Sequence, residues 1–132
     1  MEKVSKEVAG KEIEAWLDYK KVSESKREAS AESIATLVNA ICDGALSKQD
    51  DNTLVHELKF PLENEMSLTK LEYKPRLAMS AIHTQLQGVK PSDADGRLIA
   101  YVAALTGKAK GIIKGLDTED YAIGQAVAIF FL

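Results

Sequence analysis

The chain has 132 residues, of which 45% are hydrophobic, and this length predicts a single domain with one core. Seventeen basic and twenty acidic residues give a net charge of −3, which argues against a nucleic-acid-binding domain, and a single cysteine excludes an internal disulfide framework. No apolar run approaches the roughly 18 residues of a membrane span and no signal-peptide core is present, so we expect a cytoplasmic protein that binds no membrane.

The first 29 residues are predicted to form a charged helical arm. Residues 1–30 carry seven basic and seven acidic side chains. Ile13, Trp16 and Leu17 stand at i, i+3 and i+4, which is typical of a helix with a narrow apolar stripe. Two interpretations remain open: a solvated helix whose tryptophan docks on the rest of the protein, which we favour, or an arm that folds on a partner.

A second helix and a β-hairpin are predicted next. Ser30 is a suitable N-cap for the helix, and Gly44 is a suitable stop. Apolar and polar residues alternate over residues 54–60 and again over residues 67–74, which is typical of half-buried strands. A polar turn at residues 63–65 would join them into an antiparallel pair.

Three further helices are predicted to follow the hairpin. The first would begin at Pro75, which fits the first helical position. The second would begin after Ser92 as N-cap. The third would begin after Asp117 as N-cap, with Asp120 at the third helical position. Because acidic groups are favourable at helix N-termini, capping is sufficient to explain these carboxylates without acid–base catalysis.

The predicted fold class is therefore α+β. It is mainly helical, with one antiparallel β-hairpin packed against about five helices. We expect residues 1–29 to form the arm and residues 30–132 to form a single globular domain.

The candidate metal ligands and nucleophiles do not form a recognisable pattern. Cys42, His56 and His83 fall in different predicted elements, without the spacing of a zinc site. We therefore expect Cys42 to be a small buried hydrophobe and His56 to lie on a half-buried strand face. The predicted protein has no metal site, no cofactor and no catalytic residue, and it is not an enzyme.

A glycine-rich segment near the C-terminal end invites comparison with a phosphate-binding loop. Gly107, Gly111 and Gly115 are spaced by four, with lysines between them. A P-loop needs Gly-Lys followed by Ser or Thr, whereas Lys108 precedes Ala109. We interpret the segment as a helix C-cap, one short turn and a second cap, whose lysines form a positive patch suited to an acidic partner.

Five short segments follow one another through residues 58–132. They are LKFPL (58–62), LTKLEYKP (68–75), AALTG (103–107), GLDTEDY (115–121) and AIFFL (128–132). In this order and spacing they resemble the tail assembly chaperone family of tailed bacteriophages, typified by a small tail protein of phage Mu. The chain departs from the family at Tyr73-Lys74, where arginines are usual before the proline, and residues 1–50 have no counterpart.

The resemblance implies a non-enzymatic protein that binds the tape measure protein in the host cytoplasm. It would keep that protein soluble while the tail tube assembles, and we expect it to form a homo-oligomer. A structural tail or baseplate component of the virion is the alternative. For the last apolar turn, docking in the chain's own core and contact with a partner are weighed evenly. The candidate partner-binding residues are Trp16, Tyr19, Val127, Phe130, Phe131 and Leu132.

Overall fold

The computed structural model describes residues 3–63 and 67–132, which form seven α-helices and a three-stranded sheet. The helices are α1 (Lys6–Tyr19), α2 (Glu24–Ala29), α3 (Ala31–Cys42), α4 (Met79–Leu86), α5 (Ala94–Thr106), α6 (Lys110–Lys114) and α7 (Thr118–Ala128), and a 3-10 turn (Ile129–Phe131) follows α7. The strands are β1 (Leu46–Lys48), β2 (Leu54–Leu62) and β3 (Leu68–Tyr73). The predicted α+β class is confirmed.

The N-terminal helix α1 packs into the core. Ser5 caps it by accepting a hydrogen bond from the Val8 amide at 3.2 Å. Its stripe of Ile13, Trp16 and Leu17 is buried and belongs to the same hydrophobic cluster as residues of α3, α5 and α7. The tryptophan therefore docks on the rest of the protein, and one core extends across the predicted boundary between residues 29 and 30.

Ser30 lies at the junction of two helices. It ends the short helix α2 and occupies the N-cap position of α3, as predicted. Its side chain makes no capping hydrogen bond, because its backbone lies at φ −110° and ψ 27° and not in the extended region that N-cap residues adopt. The predicted position is correct, whereas the predicted capping interaction is absent.

The sheet is antiparallel with strand order β1-β2-β3. The hairpin of β2 and β3 was predicted, but the three-residue strand β1 was not. His56 lies opposite Leu71, and the register shifts between Glu57 and Leu62, so β2 carries a bulge. The predicted turn at residues 63–65 lies mostly outside the described residues.

Two predicted helix starts differ from the structure. Residues 75–78 lie outside any helix, Leu77 packs half-buried against the core, and α4 begins only at Met79. Asp93, and not Ser92, caps α5 by accepting a hydrogen bond from the Gly96 amide at 2.9 Å. Gly107 ends α5 at φ 69°, a backbone conformation that favours glycine.

The core lies between the sheet and a layer formed by α3, α5 and α7. Gly124 lets α7 approach the sheet closely, because a Cβ atom there would lie 3.1 Å from the Tyr73 hydroxyl oxygen of β3. No helix among the described residues is long and apolar enough to cross a membrane.

Candidate functional site

A buried polar triad joins the sheet to the last helix. His56 of β2 and Asp120 of α7 are 0% exposed, and Tyr73 of β3 is 1% exposed. The Tyr73 hydroxyl lies 2.9 Å from His56 Nδ1, and His56 Nε2 lies 3.1 Å from Asp120 Oδ1. The His56 and Tyr73 rings are also stacked, with centroids 5.9 Å apart. This triad is the most concentrated group of buried polar chemistry among the described residues.

Asp120 reaches the sheet because its helix is capped by another residue. Asp117 accepts a hydrogen bond from the Glu119 amide at 2.9 Å, which leaves the Asp120 carboxylate free to point away from the helix end. Its two oxygens accept hydrogen bonds from the consecutive amides of Lys59 and Phe60, at 2.9 and 3.0 Å. These amides lie in the bulge, beyond the end of β1. The carboxylate therefore accepts hydrogen bonds at a point where β2 has no β1 residue to pair with.

The hydrogen-bond partners define the direction of each proton in the triad. An ionised Asp120 only accepts, so His56 donates from Nε2 and its Nδ1 accepts from the Tyr73 hydroxyl. Burial lowers the pKa of His56, although Asp120 opposes this effect. Burial and the neighbouring Asp120 charge raise the pKa of Tyr73. At neutral pH the imidazole and the phenol are therefore both uncharged.

The order Tyr–His–Asp is similar to a catalytic relay, but the geometry serves a structural role. A relay must present its terminal nucleophile, here the Tyr73 hydroxyl, to a substrate, whereas Tyr73 is only 1% exposed. The triad instead satisfies buried donors and fastens α7 to β2 and β3.

Two sequence interpretations need correction here. His56 was expected on a half-buried face but is fully buried. Capping was expected to explain both acidic residues of α7, yet it explains Asp117 and not Asp120. The sequence contained a signal for the triad, since His56 and Tyr73 occupy core-facing positions beside Leu54 and Leu71, where a polar group needs a buried partner.

The predicted partner-binding residues divide into buried and exposed sets. Trp16 and Val127 are 1% and 0% exposed, and Phe130 is 7% exposed. The Phe130 ring meets Trp16 edge to face, with centroids 5.7 Å apart. Tyr19 and Leu132 are 43% and 50% exposed. For Val127 and Phe130, the structure therefore corresponds to docking in the chain's own core.

We give the name terminal patch to four residues at the ends of α1 and of the chain: the exposed Tyr19 and Leu132 and the half-buried Lys20 and Phe131. The ammonium group of Lys20 lies 3.2 Å from the centroid of the half-buried Phe131 ring, which is a cation–π contact. Burial and the nearby charge of Arg76 lower the pKa of Lys20 to about 8. The patch thus combines exposed apolar groups with a partly desolvated cation, and a partner could bind both.

The remaining sequence candidates lie apart from one another. Cys42 is buried at the end of α3, whereas His83 lies on the exposed side of α4. Across residues 3–63 and 67–132, no group of three His, Cys, Asp or Glu side chains is arranged to hold a metal ion. In the glycine-rich segment, Lys110 donates a hydrogen bond to the Gln85 carbonyl at 2.9 Å and so fastens α6 to α4.

No protein-family model, curated protein or solved structure matches the chain. The features of the protein that bear on its function are therefore the sequence resemblance, the triad, the terminal patch and the sheet.

Proposed function

We propose that this protein is a non-enzymatic tail assembly chaperone of a tailed bacteriophage that binds the tape measure protein in the host cytoplasm. The observation that carries the proposal is the ordered set of five segments between residues 58 and 132, which resembles that family. Each segment by itself is weak evidence for the resemblance, so the contacts between the segments are the stronger evidence.

Four of the five segments are joined in pairs by hydrogen bonds. The first and fourth are joined by Asp120, which accepts hydrogen bonds from the amides of Lys59 and Phe60. The second and third are joined by the Lys74 amide, which donates to the Leu105 carbonyl at 3.1 Å. Phe130 of the fifth packs on Trp16. Their order and spacing therefore correspond to one packing arrangement, which supports a shared fold behind the resemblance.

The terminal patch is the surface we propose for the tape measure protein. A long helical protein awaiting its tail tube exposes apolar side chains, and a chaperone must cover them reversibly. Tyr19 and Leu132 offer exposed apolar surface, and the ammonium group of Lys20, which lies on the Phe131 ring, could pair with a carboxylate of the bound helix. Removing this cation from water would favour a partner that supplies negative charge.

Co-expression with a candidate tape measure protein tests the function. We expect the two proteins to co-purify and the chain to be absent from purified virions. Presence in virions at a fixed copy number would overturn the chaperone proposal and support the structural tail or baseplate alternative.

Matched variants test the surface. Tyr19→Ser combined with Leu132→Ser should abolish co-purification and leave the melting temperature close to that of the wild type. Val8→Ser is the control, because Val8 is 49% exposed near the other end of α1. Equal loss of binding in the control, or retained binding in the double variant, would exclude the terminal patch as the docking surface.

A further inference from the structure

Strand β3 has one side that no described strand pairs. The Glu57 amide donates to the Ala45 carbonyl at 2.8 Å, so the main-chain groups of Glu57 point toward β1. Those of the adjacent residue His56 then point toward β3, where its partner is Leu71. Because main-chain direction alternates along a strand, the amides and carbonyls of Lys70 and Glu72 point away from β2.

The hydrogen bond made by Lys74 supports this main-chain direction. Lys74 also points away from β2, and its amide bonds to the Leu105 carbonyl at the end of α5. Within residues 3–63 and 67–132, the main chain of Lys70 and Glu72 has no hydrogen-bond partner on this side. A cleft of about 290 Å³ adjoins this edge, with Thr106 among its lining residues. The edge is therefore open over a short length, and α5 limits it at Lys74.

We propose that two copies of this chain pair antiparallel through this open edge of β3. The two-fold axis passes beside Leu71, so Lys70 of each copy lies opposite Glu72 of the other. Each Lys70–Glu72 pair exchanges two main-chain hydrogen bonds, and the two three-stranded sheets join into one of six strands.

Charge selects this register among the available ones. Only residues whose main chain points away from β2 can pair, so Lys70 could face Leu68, Lys70, Glu72 or Lys74 of the second copy. Facing Lys70 or Lys74 places like charges opposite each other, and facing Lys74 also needs the Lys74 amide that donates to Leu105. Facing Leu68 leaves Lys70 without an opposite charge, so it is less favourable than facing Glu72. Only the register centred on Leu71 pairs Lys70 with Glu72 twice.

The side chains suit such an interface. Lys70 and Glu72 are both exposed and lie on the solvent face of the sheet, whereas Leu71 lies on the core face and is 1% exposed. Glu57 of the same copy lies opposite Lys70 across the hairpin, so charges alternate from β2 to the second copy. The contact is small, and we therefore expect a weak, concentration-dependent dimer.

Charge-reversed variants test the proposal by sedimentation velocity over a wide range of protein concentration. The wild type should dimerise, and Lys70→Glu and Glu72→Lys should each dissociate about tenfold more readily, because two attractive pairs become repulsive. An equimolar mixture of the two variants should associate again, since every facing pair is then Glu with Lys. Restoration by mixing also shows that both variants are folded.

Two further variants control for charge and main-chain effects. Glu72→Pro removes an amide that the monomer does not use and should abolish the dimer while melting stays cooperative. Lys90→Glu changes charge at an exposed position that does not line the cleft, and it should leave dimerisation unchanged. A monomeric wild type, or variants that fail to associate on mixing, would overturn the inference. The outcome is independent of the chaperone proposal, because no tape measure protein is present.

Discussion

Replacing Asp120 tests whether the buried triad holds the sheet to α7. The carboxylate accepts three hydrogen bonds, from the amides of Lys59 and Phe60 and from His56 Nε2. Asp120→Ala removes both acceptor oxygens, and with them all three hydrogen bonds, and leaves a fully buried imidazole N–H without a partner. We therefore expect a large loss of stability and no change in fold class.

The magnitude follows from the number and burial of these bonds. A hydrogen bond to a charged group contributes about 1.5–3 kcal/mol, and contributions from one site are not additive. The amides of Lys59 and Phe60 are only partly buried and regain some hydrogen bonding from water, whereas His56 does not. We expect Asp120→Ala to lower the free energy of unfolding by about 3–5 kcal/mol, out of the 5–15 kcal/mol typical of a domain.

Asp120→Asn keeps the shape of the side chain but reduces its acceptor oxygens from two to one. Its single carbonyl oxygen can replace Oδ1 and keep the bonds from Lys59 and His56, but its amide NH₂ then faces the Phe60 N–H, donor against donor. The expected loss is about 2 kcal/mol, between the wild type and the alanine variant. A value for Asn equal to that for Ala would show that charge, and not acceptor number, determines the stability of the site.

Urea unfolding followed by fluorescence provides the assay. Trp16 is the single tryptophan, and its burial against Phe130 makes its emission report the core. Glu119→Gln is the matched control on the same turn, since its contact with Lys59 at 3.9 Å is exposed and should contribute less than about 1 kcal/mol. If Asp120→Ala costs no more than this control, the structural role assigned to the triad is refuted.

Three further predictions concern other groups. Burial lowers the pKa of His56 below its ordinary value of 6.5, so the unfolded chain binds a proton more readily than the folded one. The contribution of neutral His56 to the free energy of unfolding should be fully present above pH 6.5 and decrease as the pH falls toward the lowered folded pKa. Urea titrations from pH 7 to 5 should show this decrease in the wild type and in the exposed control His83→Gln, and not in His56→Phe. Phe130→Ala should lower the free energy of unfolding by about 3–5 kcal/mol, whereas Leu132→Ala should change it by less than about 0.5 kcal/mol in the same assay. With a pKa of about 8, Lys20 should be acetylated at pH 8 faster than a model lysine of pKa 10.5, which peptide mapping by mass spectrometry can measure.

The helices that the sequence predicted well have a clear apolar stripe or a glycine at their end. The stripe at Ile13, Trp16 and Leu17 became the buried face of α1, and Gly107 became the left-handed cap of α5. These features depend on local spacing and local backbone preference, which a single sequence displays directly.

The elements that the sequence missed depend on contacts between distant segments. Strand β1 has only three residues, and it is stabilised by its antiparallel pairing with β2. The late start of α4 follows from Leu77 reaching the core, which overrides the helix-starting preference of Pro75. Asp120 looked like an ordinary helix-start residue, because its partners Lys59 and Phe60 lie about sixty positions earlier in the chain.

The segments that resemble the phage chaperones contain two kinds of position, and this difference separates folding from function. Tyr73, Asp120 and Phe130 are buried and connect sheet, α7 and α1, so the fold alone accounts for their residue types. Lys70 and Leu132 are exposed, and the internal packing does not need their side chains. If the resemblance reflected fold alone, substitutions at the exposed positions would leave every interaction of the protein unchanged. If substitution of an exposed residue abolishes association while the melting temperature is retained, that residue has a functional role. Substitution of a buried residue cannot provide this evidence, because it also destabilises the fold.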